Sequence, residues 1–198
     1  MTSKQLKQIK EFSLSYYQKT DQFHDARHPI LTTTYALTLA KDYPETNLLV
    51  LEAICYLHDI GRIRADESHA YESAKIAEPF LKKIGITSEE AEVILHAVSV
   101  HAAEDIHKAK TIEAKLLFDA DKIQILSVYG FLRVTFFVIA KRNMDMVEAI
   151  EFMWDYVQMV WKDCIQTPGA KRMLKPEMKK IEQMVKDFRK GYTGKLGK

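Results

Sequence analysis

The chain has 198 residues, 47% of them hydrophobic, with seven glycines, five prolines, two cysteines and a formal net charge of +2. That length and apolar content suffice for one domain with a sizeable core, and scarce turn residues among Ala-, Leu-, Lys- and Glu-rich stretches argue for helices rather than short strands. The sequence has no run of about 18 uncharged apolar residues, so no membrane span is expected, and its N-terminus lacks a signal-peptide core; Cys55 and Cys164 are too few for a disulfide framework, so a reducing, cytoplasmic protein is expected.

Taken in chain order, Ser3 caps a first helix running to about Lys19, with Leu6, Ile9, Phe12 and Tyr16 on one stripe. Asp25 or Ala26 opens a second helix that carries His28 in its first turn. Glu45-Thr46-Asn47 leads into a third, apolar from Leu48 to Leu57 except for Glu52, the pattern of a central buried helix, which Gly61 ends. A polar loop from Arg62 to Ser68 precedes a helix over His69–Lys83 closed by Gly85. Thr87 with Glu90 then forms a capping box for the next helix, which includes His96 and reaches toward His101. A helix over about Thr111–Val128 carries Phe118-Asp119-Ala120-Asp121-Lys122-Ile123 and pauses at Gly130.

Helical periodicity continues from Phe131 to about Ala140 and from Met144 to Ile165. There Phe136, Phe137, Phe152, Trp154, Tyr156 and Trp161 interleave with methionines; at helical spacing they read as core, the other roles being a substrate-pocket wall or a dimer surface. Thr167-Pro168-Gly169 breaks this section before a basic last helix. Residues 171–198 hold ten Lys or Arg against three acids, read as a solvated helical face rather than a nucleic-acid site. Gly191–Lys198 reads as a disordered tail.

His58-Asp59 ends the apolar run Ala53-Ile54-Cys55-Tyr56-Leu57. A nitrogen and an oxygen ligand side by side at the end of a buried helix are costly unless paired or coordinated, and a divalent metal does both. His28 lies upstream, His69, His96 and His101 follow, and Asp121 comes last. This order resembles the HD domain of metal-dependent phosphohydrolases over roughly Phe23 to Leu132. Leu57-His58-Asp59-Ile60-Gly61-Arg62 is similar to that family's most recognisable segment, and His28-Pro29-Ile30 opens an amphipathic stretch as its first ligand does.

The resemblance implies an all-α fold: a single compact helical bundle with a C-terminal helical extension. Residues 1–22 would form an N-terminal helix packed on the core, 23–132 the metal-binding core, 133–190 C-terminal helices completing the same domain, and 191–198 the tail. It implies His28, His58, Asp59 and Asp121 as metal ligands. Asp121 is preferred to Asp119 because it directly precedes Lys122-Ile123, and two positions about 200° apart on a helix cannot both face one ion. Two imidazoles and two carboxylates suit Mn, Fe, Co, Ni or Zn better than calcium, with Mg admissible; one ion is expected and two are allowed.

Asp59 would also orient the attacking water. His69 and Lys122 are further candidates for catalysis, Lys122 competing with a plain helix-surface role. His69 and His101 fall where two-metal relatives carry extra ligands, so a second ion and substrate contact both stay open for them. His96, about 140° round a helix from His101, is left as a core or supporting histidine. Arg62 and Arg64 are candidates for phosphate binding, against a solvent-exposed loop.

The expected function is a metal-dependent phosphohydrolase, cleaving a phosphate ester or anhydride of a nucleotide or other small phosphorylated metabolite through a metal-activated water. The sequence lacks a Gly-x-Ser-x-Gly elbow, a P-loop and a Gly-rich dinucleotide fingerprint. His101 is followed by Ala102-Ala103-Glu104-Asp105 rather than Gly-Tyr-Pro, which argues against cyclic-dinucleotide phosphodiesterases. The alternatives are another phosphodiesterase, a di-iron oxygenase on the same fold, and a non-catalytic nucleotide-binding module. The expected partner is a small phosphorylated substrate, a nucleotide first, with neither membrane nor nucleic acid; a homodimer is left open.

Overall fold

The computed structural model describes residues 1–20, 23–65 and 67–195. Among the described residues the protein is all-α, with nine α-helices and no strand. They are α1 (Ser3–Tyr17), α2 (Arg27–Leu39), α3 (Leu48–Leu57), α4 (His69–Lys83), α5 (Ser88–Ser99), α6 (Ile112–Ile125), α7 (Val128–Arg142), α8 (Met146–Met159) and α9 (Pro168–Tyr192). The chain forms two compact units, Met1–Asp121 and Lys122–Lys198.

In the first unit α3 is the central element, packed against α1, α2 and α5. Asn47 starts it by accepting the Val50 N–H, and every residue from Ala53 to Leu57 is buried, as its nearly unbroken apolar sequence requires. α1 is capped by Thr2, one residue before the expected Ser3. The Thr2 hydroxyl accepts the Gln5 N–H, and the Gln5 side chain takes the Thr2 N–H in return. Its buried stripe is Leu6, Ile9, Ser13 and Tyr17 rather than one through Phe12 and Tyr16, and the helix ends at Tyr17. Phe12 instead stacks on Phe80 of α4, ring centroids 3.9 Å apart.

After α3 a short 3₁₀ turn, Ile60–Ile63, packs on α4, which in turn pairs with α5. Gly61 is needed there for closeness rather than for ending a helix: an added Cβ would lie 2.3 Å from the His69 carbonyl oxygen and 2.4 Å from the Ser73 nitrogen. Its own N–H donates to the Ser73 hydroxyl at 2.8 Å. This contact seats the first turn of α4, and with it His69. Thr87 caps α5 by accepting the Glu90 N–H, which is one half of the expected capping box; the Glu90 carboxylate takes the Thr87 hydroxyl at 3.2 Å rather than the Thr87 N–H.

In the second unit the break after α6 falls at Leu126-Ser127, not at Gly130. The Ser127 hydroxyl accepts the Gly130 N–H and starts α7, and Gly130 lies inside that helix, where a Cβ would strike the Gln124 carbonyl. α8 begins with an Asp145 capping box and runs into a π-helical turn at Val160–Cys164. Thr167 caps α9, with Pro168 in its first turn. α9 continues to Tyr192, into the stretch expected to be disordered, and residues 196–198 of that stretch lie outside the described residues.

The aromatic section is not uniformly core. Phe131, Val138, Ala149, Met153 and Val157 are buried, whereas Phe136, Met146 and Met159 are exposed. Among the described residues no single helix is long and apolar enough to cross a membrane.

Candidate metal centre

Five segments of the first unit bring six chemistry-bearing side chains together. His28 sits in the first turn of α2, His58 caps the C-terminus of α3, and Asp59 follows with φ −111° and ψ 7°, in the sparsely populated bridge region. His69 opens α4, His101 lies two residues past the end of α5, and Asp121 projects from α6. All but His69 are buried, and His58 is completely so.

The donor atoms fall into two sets. His28 Nε2 lies 3.0 Å from His58 Nε2, 3.3 Å from Asp59 Oδ2 and 3.4 Å from Asp121 Oδ1; His58 Nε2 is 3.8 Å from Asp59 Oδ2 and 4.0 Å from Asp121 Oδ1. The other carboxylate oxygen of Asp59, Oδ1, is 3.3 Å from both His69 Nε2 and His101 Nε2, which are themselves 3.2 Å apart. Asp59 therefore joins the sets, one oxygen to each. Metal bonds of about 2.1 Å meeting at tetrahedral or octahedral angles hold neighbouring donor atoms roughly 3.0–3.4 Å apart; the spacings from His28 and those of the second set fit that range, and the two from His58 Nε2 to the carboxylates, 3.8 and 4.0 Å, are wider.

Tautomers support that fit. His58 Nδ1 is 2.8 Å from the Cys55 carbonyl, and His101 Nδ1 is 2.7 Å from the Val98 carbonyl, each three residues back along its own chain. A carbonyl only accepts, so both Nδ1 atoms carry a proton, and the neutral form of each ring turns an Nε2 lone pair inward. Lone pairs and carboxylate charge converging in a buried space call for a cation. Arg62 supplies part of it: its Nε donates to Asp59 Oδ2 at 2.6 Å, and its Nη2 lies 3.2 Å from His69 Nε2.

Burial alone would push the Asp59 carboxyl up, but Arg62, then His58 and His69, hold it well below the usual carboxylate range. Burial pushes His58 down to about 3. A histidine depressed in the fold binds its proton more readily when unfolded, so stability is full above the ordinary value of 6.5 and is lost as pH falls toward 3. Denaturant titrations of the metal-free chain are expected to show its unfolding free energy falling by several kcal/mol between those limits, since each tenfold change in proton affinity is worth about 1.4 kcal/mol. A His58→Gln chain would show a shallower decline.

Other expected site residues are placed differently. Arg64 reaches the Glu72 carboxylate on α4 at 3.1 Å and is largely exposed, outside the cluster. Lys122 opens the second unit, where it is buried; burial and then Asp163 push the Cys164 thiol up, and the Lys122 charge offsets part of that rise. Asp119 is fully buried on α6, about 200° round the helix from Asp121. His96 is half-buried, accepts the Lys110 backbone N–H at 3.1 Å and joins neither donor set.

Two residues beside the cluster have no counterpart among the sequence-based expectations. His24, in the turn before α2, is buried with its ring edge-on to His28, centroids 6.1 Å apart, and helical spacing gives no signal for it because α2 begins only at Arg27. Tyr17, at the end of α1, lies in the field of Asp59, Arg62 and Asp121. Burial first, then the Asp59 charge, raises its phenol well above the ordinary value.

The HD domain family matches residues 25–126, and the chain belongs to that family. Over nearly whole chains it shares its fold with three solved structures. One, from Lactobacillus plantarum, superposes with a TM-score of 0.80 at 17% identity, covering 98% of this chain and 99% of that one. YpgQ of Bacillus subtilis, in complex with ADP, gives 0.75 at 19% identity with 95% of both chains covered. An HD-superfamily hydrolase of Bacillus thuringiensis gives 0.73 at 20% identity, covering 96% of this chain and 97% of that one. No curated protein matches the chain.

Proposed function

We propose that the protein is a metal-dependent phosphohydrolase that releases phosphate from a nucleotide or another small phosphorylated metabolite. The observation that carries this reading is the double donor set centred on Asp59, with a guanidinium laid against it. His28, His58, Asp59 Oδ2 and Asp121 would hold one divalent transition ion, and Asp59 Oδ1, His69 and His101 a second. When bound, such ions polarise a phosphoryl oxygen and lower the pKa of a water. The chain's part is to keep the His58 and His101 lone pairs inward and to bring Arg62, whose planar fork suits phosphate oxygens, to the edge of the site. The nitrogen lone pair of His69 can serve either Arg62 or an ion, so His69 would give up its Arg62 contact if it held a second ion. The ADP bound to YpgQ supports a nucleotide as the phosphorylated ligand.

Convergence of all six side chains also favours a second reading, an oxidative di-iron centre. One experiment separates the two: supply nucleoside mono-, di- and triphosphates and simple phosphate monoesters to protein loaded with Mn, Co or Ni, and separately follow oxygen uptake by iron-loaded protein. Phosphate release from at least one nucleotide class, without oxygen uptake, is expected; oxygen uptake without phosphate release would overturn the proposal.

A further inference from the structure

Tyr17 is 2% exposed, and its hydroxyl has no hydrogen-bond partner. Buried hydroxyls nearly always have one, because a donor withdrawn from water without an acceptor destabilises the fold. Its position makes the exception informative. α1 packs on α3 and on the 3₁₀ turn that follows Asp59, so its last residue lies at the joint carrying the metal-centre carboxylate. Asp59, Arg62 and Asp121 all act electrostatically on the phenol, and the Asp59 backbone approaches its oxygen without hydrogen-bonding geometry. One turn earlier on the same face, the Ser13 hydroxyl is equally buried and unpartnered.

Beside the ligand set Asp59 thus has a cation, Arg62, donating to Oδ2 at 2.6 Å, and a neutral hydroxyl, Tyr17, whose phenol feels the Asp59 charge. A neutral donor adds hydrogen-bonding capacity without a further charge, which suits an anionic oxygen already balanced by metal and arginine. We propose that Tyr17 is a ligand-binding residue of this centre, its hydroxyl donating a hydrogen bond to a phosphoryl oxygen of the bound substrate. This rests on the phosphohydrolase reading given above.

Tyr17→Phe keeps the ring and removes only the donor. Inorganic phosphate titrated calorimetrically into the Mn-loaded chain provides a readout independent of turnover, with metal content and thermal midpoint measured alongside. The variant is expected to keep its metal and to melt no lower than the parent, since it loses an unpartnered group, while binding phosphate about tenfold more weakly. Unchanged phosphate affinity, or loss of metal together with phosphate, would overturn the assignment while leaving the phosphohydrolase reading intact. A metal-loaded parent that binds no phosphate would overturn both, a result separable from the others because it appears before any substitution is made.

Discussion

Asp59→Asn is expected to reduce metal-dependent phosphate release by at least about a thousandfold, the scale set by removing charge stabilisation from a metal-assisted reaction. The substitution preserves side-chain size but removes the charge and replaces one oxygen with an amide. Oδ2 faces His28 and His58 while Oδ1 faces His69 and His101, so neither orientation of an asparagine can serve both sets. One set would meet N–H donors where it now meets an acceptor. Arg62 would lose its closest carboxylate contact at the same time. Elemental analysis of the variant is expected to show less bound metal than in the parent. A variant that keeps its metal and works within tenfold of the parent would remove Asp59 from the centre of the site's chemistry.

Gly61→Ala is expected to lower stability strongly and to disturb the site with it. The new Cβ would stand 2.3 Å from His69 O, 2.4 Å from Ser73 N and 2.9 Å from Glu72 C, all of them backbone atoms of α4. No side-chain rotation relieves such contacts, so the start of α4 must move away and the bond from the Gly61 N–H to the Ser73 hydroxyl must stretch. Overpacking of this kind costs about 3 kcal/mol, and rigid backbone places the cost at or above that figure. His69 is the first residue of the displaced helix, so activity should also fall, by about a hundredfold if the shift reaches 1 Å. Gly191→Ala is the control, since nothing lies within 4 Å of a Cβ at that position. A large drop in denaturation midpoint is expected for the first substitution and none for the second; equal midpoints would show that the 3₁₀ turn yields freely.

Much of this centre is legible in the sequence because its residues mark element boundaries. His58-Asp59 closes an apolar run, His28 falls in the first turn of a helix, and Asp121 follows Asp119 as an acidic step within an otherwise apolar stretch of α6. The helical character of the chain follows from composition and periodicity, and capping residues such as Asn47 and Thr87 behave as their chemistry requires. What sequence spacing conceals is direction. The face of α1 that turns inward passes through Ser13, a polar residue, so an apolar stripe drawn through Phe12 and Tyr16 hides Tyr17. Gly61 carries a double meaning of the same kind: a helix-ending residue by type, a close-approach residue by geometry. The division of labour between the two oxygens of Asp59 has no sequence signature, because it depends on where α4 and the end of α5 are folded back.

If the side chains gathered around Asp59 serve a divalent metal in phosphate release, removing the metal must remove the activity. The rate at which the chelator-stripped chain liberates inorganic phosphate from a nucleotide substrate, before and after Mn is returned, measures this directly. A negligible rate for the stripped chain and recovery on adding the metal are expected. An undiminished rate in the stripped chain, confirmed metal-free by elemental analysis, would contradict the metal's role.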